Sequence, residues 1–355
     1  MFVMRENNKM NSLKSNRSPI PDLLKGYAVL FMIQVHILEL FIDKPGQESW
    51  VGRTSLFLGG PFAAPVFMII MGYFISKGKL SLFHGIFRGI KIFILGLLLN
   101  IGLNFHLLVK IISGDLMLNP LEYIWGIDIF FLAGSSIIIL SLLKSIIKRK
   151  YWIILILILL ISIGTHYINQ LFSDIETDYF LPLIGGEFTW SYFPLFPWLA
   201  YPLIGFLFYK WEDKIVDFRQ KNKLVFWFAI LGVFILLVVF LDFGFNSSIK
   251  LNYYYHHQFH YMLWAIGLVI LWTLLLEITA KYLNVKVRNF ITWMGINVTA
   301  IYVVQWLIIG NVSTAIYQTQ KIETFGFWFA IILFFSISFA YLYHKLTAKS
   351  REGSL

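Results

Sequence analysis

The chain has no cysteine among its 355 residues, which excludes disulfides, thiol catalysis and cysteine-held metals. Charge is also scarce: Asp, Glu, Lys and Arg fill 14% of positions, against 58% for hydrophobic residues. A soluble core of this length cannot hide so much apolar surface, so part of the solvent must be lipid. Low-complexity linkers are missing too, which leaves no room for a separate soluble domain. The apolar runs do not alternate, and this excludes a closed barrel; the spanning elements are helices. No P-loop, Rossmann glycine pattern, GxSxG or HExxH stands in a supporting context. The first twenty residues are polar and carry Arg5, Lys9, Lys14 and Arg17. The run after them is too long for a cleavable signal peptide and lacks a small-residue cleavage site.

What the sequence does contain is ten continuous apolar runs, at 22–42, 57–76, 86–105, 120–142, 151–171, 193–209, 224–241, 258–278, 290–310 and 324–345. They predict an all-α polytopic membrane protein of about ten transmembrane helices, with both termini cytoplasmic. Basic residues set this orientation. With the N-terminus inside, cytoplasmic segments hold 23 of the 29 Lys and Arg, outer segments hold five, and Lys25 lies within the first span. The net charge of +10 is therefore topological and requires no nucleic-acid partner. One membrane domain is expected over 22–345, between cytoplasmic tails at 1–21 and 346–355. The outer loop at 172–192 carries Asp174, Glu176, Asp178 and Glu187 and reads as an ordinary solvated loop.

Ionisable groups inside a span are costly and so mark functional candidates. The first span holds Asp22, Lys25, His36 and Glu39, which at 100° per residue fall within an arc of about 100°. This polar stripe must face protein or water. Lys25 lies near the cytoplasmic end, where snorkelling also accounts for it, and Glu39 near the outer end, where an interfacial role would suffice. His36 is roughly 16 Å deeper than Lys25 and cannot snorkel; a structural histidine is its alternative. Asp128 in the fourth span and Gln305 in the ninth fall at a similar depth by residue count, which suggests an interior site. Asn297 sits lower in the ninth span, and interhelical hydrogen bonding competes with ligand binding for both amides. His256, His257 and His260 begin the eighth span. His256 and His260 have the spacing to share a metal, but no third ligand is evident, so no metal is expected.

The stretch Asp22-Leu-Leu-Lys25-Gly26-Tyr-Ala28 followed by His36 resembles the opening of the transmembrane acyltransferase superfamily. That group includes the type-three acyltransferases and the heparan-α-glucosaminide N-acetyltransferase-like proteins. The type-three pattern sets an aspartate, an arginine and, after ten residues, a histidine in the first span. Here the spacing is kept with lysine in place of arginine. GGPFAAPVFMIIMGYFIS (59–76), FPLFPWLAYPLIGF (193–206) and GINVTAIYVVQ (295–305) are similar to further spans of the heparan acetyltransferase-like branch. The resemblance implies transfer of an acyl group, often acetyl from cytoplasmic acetyl-CoA, to a sugar or cell-envelope glycan across a bacterial inner membrane. It implies His36 as catalytic base or acyl carrier, oriented by Glu39 or Asp128. Asp22, Lys25, Arg88 and Lys91 would meet the acyl-CoA donor, and Asn297, Gln305 and Trp198 the acceptor. A homodimer is compatible with this reading. The competing function is a transporter or flippase that uses the same stripe as a substrate or proton path, although no internal repeat is found. A non-catalytic membrane sensor is a third class.

Overall fold

A computed structural model describes residues 18–79, 81–147, 150–175 and 178–352, with side chains as far as Thr347. Arg5, Lys9, Lys14, Arg17, Lys148, Arg149 and Glu176 lie outside the described residues. The principal helices are α1 (Ile20–Phe41), α2 (Trp50–Gly59), α3 (Ala64–Lys77), α4 (Leu82–Leu103), α5 (Ile129–Ile147), α6 (Trp152–Leu171), α7 (Ala200–Lys221), α8 (Lys223–Val239), α9 (Phe259–Thr279), α10 (Val285–Ile296), α11 (Val298–Ile316) and α12 (Phe325–Glu352). No strand occurs among the described residues; two isolated bridges, Ile42 with Gln320 and Ile127 with Ser191, tie loops together. The chain is an all-α polytopic membrane protein.

Local signals place the helix ends. Proline occupies the first turn of α1, where its missing N–H would have no partner anyway. Ser49 caps α2 by accepting from the Gly52 N–H at 3.1 Å, and Ser81 caps α4. Among the described residues, eight helical segments are long and apolar enough to cross a membrane, with α2 and α3 together forming one of them. The sixth and seventh apolar runs differ: α7 and α8 pass only as a pair, bent by 110° at Asn222. The C-terminal half of α7, from Lys210 to Lys221, is strongly charged, so its apolar length is short. Two other runs break where the sequence reading kept them whole. The run at 120–142 becomes a short helix at Pro120–Ile124 and then α5, because residues 125–128 leave helical geometry to bond the Trp190 carbonyl through the Ile127 N–H at 2.7 Å. The run at 290–310 divides into α10 and α11 at Asn297.

Glycines allow the closest helix crossings. A Cβ on Gly26 would lie 2.0 Å from the Ile291 carbonyl oxygen, and one on Gly295 would lie 1.9 Å from that of Asp22, so α1 and α10 touch backbone to backbone. Gly72 of α3 and Gly205 of α7 are paired in the same way, against Pro202 and Ile69. Two cores result. One gathers Met68, Leu132, Trp198, Tyr201 and Tyr261 around α7 and α9. The other gathers Leu23, Val29, Met294 and Ile301 around α1, α10, α11 and α12.

Contacts also sort the two ends of the bundle. At one end Lys144 donates to the carbonyls of Ile75, Ser76 and Gly78, Arg219 pairs with Glu277 at 2.9 Å, and Trp293 of α10 meets Tyr341 of α12. The start of α1 touches α10 there, so both ends of the described chain lie at this basic end. At the opposite end Asp43 pairs with Lys321 at 2.7 Å, and Tyr192 packs on Tyr255.

Candidate functional site

Four elements converge around His36. It projects from α1 into the wall of a cavity of about 490 Å³, open mouth included, whose lining includes Met32, Glu39, Gly59, Gly60, Tyr254, Tyr255 and Tyr302. At the edge of this cavity α2 packs closely on α1, since a Cβ on Gly59 would lie 2.3 Å from that of Val35. Gln305 of α11 presents its amide to the His36 Nδ1, with the nitrogen at 3.1 Å and the oxygen at 3.3 Å. Trp306 lies against the imidazole at 4.2 Å between ring centroids. The ring is thus held at one nitrogen and one face, and Nε2 has no protein partner among the described residues. Such a histidine is positioned to exchange a proton with a ligand in the cavity.

The two carboxylates take other places. Glu39, one turn beyond His36, lines the same cavity and accepts from the Tyr255 hydroxyl at 3.5 Å. Asp128 stands just before α5, where it accepts from the Ile129 N–H at 2.6 Å and from the Tyr302 hydroxyl. Tyr302 and Gln305 are one turn apart on α11, so Asp128 reaches the cavity through a tyrosine. The imidazole's partner is therefore Gln305 rather than either carboxylate.

The remaining sequence candidates fall into three places. Lys25 pairs with Asp22 at 2.9 Å, with both side chains largely buried, and sits over the Phe74 ring. Between Lys25 and His36 the face of α1 is packed shut by Ala28, Val29 and Met32, which are at most 4% exposed. Arg88 lines a groove between α4 and α5 with Lys144, Ser141 and Ser145, and Lys91 lies over Phe87 on the outside of α4. Asn297 folds back on the carbonyl of Trp293 at 2.9 Å and ends α10. Trp198 is fully buried behind the cavity, where it donates to the Tyr255 carbonyl at 2.7 Å. His257 bonds the Tyr201 hydroxyl at 2.8 Å and the Tyr254 carbonyl, and His260 belongs to α9 beyond a helix break. Among the described residues no group of three or more His, Asp or Glu side chains is placed to hold a metal.

Sequence reasoning passed over Tyr302, Trp306, Tyr254 and Tyr255, because aromatic residues in an apolar run carry no distinguishing signal. The available clue was spacing: Tyr302 stands three residues before Gln305, on the same helix face. No curated protein and no solved structure matches the chain. The acyltransferase domain matches residues 19–345, a stretch that takes in α1 with His36, α5, α11 and nearly all of α12. The chain belongs to the type-three acyltransferase family, and it is a membrane acyltransferase.

Proposed function

We propose that this protein transfers an acyl group, acetyl in the first instance, from cytoplasmic acyl-CoA to a sugar or cell-envelope glycan, with His36 taking the acceptor's proton. The observation that carries this is the contact of His36 Nδ1 with Gln305 at a cavity wall, with no protein partner for Nε2 among the described residues. In this reading Nε2 removes the proton of an acceptor hydroxyl or amine as that atom attacks the thioester carbonyl. The carbon–sulfur bond then breaks, and the departing thiolate takes the proton back from the imidazolium. An acyl-histidine intermediate is the alternative route for the same residue. Lys25, Arg88 and Lys91 meet the donor's phosphates at the basic end, which is taken as cytoplasmic. The donor's acyl arm reaches His36 when the contacts of Ala28, Val29 and Met32 part.

The test is transfer from radiolabelled acyl-CoA in membranes, alongside CoA binding to purified protein. His36→Ala is expected to lose activity by roughly a hundredfold or more while folding and CoA binding stay nearly intact. Undiminished transfer by a well-folded His36→Ala protein overturns the reading and restores transport as the better one.

A further inference from the structure

The end of the bundle that carries the His36 cavity is acidic in sequence. Between the apolar runs, its connecting segments hold nine Asp and Glu against five Lys and Arg. Two of those five bases, Lys44 and Arg53, nevertheless line one opening. A vestibule of about 1020 Å³, open mouth included, is lined by Lys44, Gln47, Glu48, Arg53, Leu56, Ile249 and Leu251, and Lys250 stands between the last two. Leu56 and Leu251 also line the cavity of His36 and Glu39, so the two spaces share a wall. Lys44 is near enough to Glu39 to act on it coulombically.

These cations are not consumed by the fold. Among the described residues neither Lys44 nor Arg53 forms a salt bridge. Lys44 makes a 3.4 Å contact with the Gln47 amide oxygen, and the Arg53 guanidinium lies over the Phe245 ring at 5.4 Å. This contact leaves guanidinium N–H groups able to meet a planar or tetrahedral anion. The nearby acid Asp43 is already held by Lys321, which leaves Glu48 as the carboxylate on the vestibule lining.

From this placement we infer that the vestibule receives an anionic acceptor, a saccharide bearing carboxylate or phosphate, and steers it to the cavity beside His36. The inference rests on the proposed transfer reaction and specifies its substrate class. An uncharged glycan gives no reason for two bases without an ion-pair partner to line this opening on an otherwise acidic end. The opposed charge would raise the local acceptor concentration at the mouth.

The experiment is equilibrium binding to the full-length protein in nanodiscs of neutral lipid, without donor. Its probes are a triuronate, a phosphorylated trisaccharide and a neutral trisaccharide. At low salt at least one anionic probe is expected to bind about tenfold tighter than the neutral one or better, and the advantage should shrink at high salt. The double variant Lys44→Gln/Arg53→Gln should lose that preference, and the charge-keeping Lys44→Arg/Arg53→Lys should retain most of it. Equal binding of charged and neutral probes, or an unchanged preference in the glutamine variant, overturns the inference. So does loss of probe binding when anionic lipid is added to the nanodiscs, which would make this a headgroup site. Binding is read without catalysis, so the two readings fail separately. Active His36→Ala protein with intact anion preference removes the mechanism alone, whereas transfer to neutral sugars with no anion preference removes the acceptor class alone.

Discussion

His36 is held by an amide and an indole, and this neutral support has consequences different from those of a carboxylate partner. Gln305 is uncharged and can face the ring nitrogen with either its oxygen or its nitrogen, so it orients the ring without placing a charge beside it. Lys25 is the residue whose role activity measurements can separate most cleanly. It pairs with Asp22 at the basic end, and Lys25→Ala is expected to raise the donor KM or abolish activity, whereas Lys25→Arg should keep much of it. Unchanged KM and turnover in Lys25→Ala would leave it a structural partner of Asp22. His257 is a stability determinant instead. Burial drives its pKa down to about 3, and that of its neighbour His256 to about 4. Unfolded histidine takes up a proton near 6.5, so below that value the unfolded chain binds more protons than the folded one. Stability present above about pH 6.5 is thus lost as pH falls towards the folded values. The thermal midpoint in detergent should drop between pH 7.5 and 5, over a range chosen from these ionisations. In His257→Gln the midpoint should start lower and fall less steeply. A wild-type midpoint that stays flat over that range would refute this account.

At the scale of elements, the decisive feature is how closely α1 approaches α10. The stripe on α1 keeps its rotational setting because Gly26 and Gly295 let two backbones meet. Packing arguments therefore predict that Gly295→Val costs at least about 1–3 kcal/mol, since the new Cβ collides with a carbonyl that has no free rotation. Because α1 also carries His36, turnover should fall together with the melting temperature. Gly232, in α8, provides the control. Nothing lies within 4 Å of where its Cβ would be, so Gly232→Ala should be neutral or stabilising by up to about 1 kcal/mol. Equal effects at the two glycines would remove the crossing as an explanation. The break before α5 belongs to the same scale. It turns Asp128 from a mid-helix residue into the residue that caps the helix and receives the Tyr302 hydroxyl.

For the whole molecule, topology turns on the bent pair. Counted as one crossing, α7 and α8 would leave the termini on opposite faces of the bilayer. The contacts argue for two crossings. Trp198 and Tyr201, at the start of α7, meet His257, whereas Arg219 near its end meets Glu277 at the far end of α9. The Leu237 carbonyl of α8 then accepts from Trp264, back near the start of α9. The chain runs one way through α7, turns at Asn222 and returns through α8, which puts both ends of the described chain on one side of the bundle. Absence of cysteine makes the orientation directly measurable. Single cysteines at Ser15, Ser173 and Ser350 should divide cleanly in intact cells: an impermeant thiol reagent is expected to reach position 173 alone. Labelling at either terminal position would invert the orientation and move Lys25 away from the donor face.

The sequence by itself determined the class of solvent, the approximate positions of the ten runs and the expected orientation, because these depend on apolar length and on charge between runs. It also singled out His36 and Gln305, since a polar group at membrane depth is conspicuous wherever the chain goes next. Only the tertiary structure decided which polar groups meet. The spacing of His36 to Glu39 and the depth of Asp128 made both carboxylates candidate partners, yet helix rotation and the break at 125–128 gave the imidazole to Gln305 and the carboxylates to tyrosines. The family resemblance implies Trp198 as an acceptor contact, but packing places it behind the cavity wall. The cavity itself could not be read from any run, because its lining comes from residues as far apart as Met32 and Tyr302. Hydropathy and charge are properties of a segment, whereas a site is a property of how segments rotate and cross.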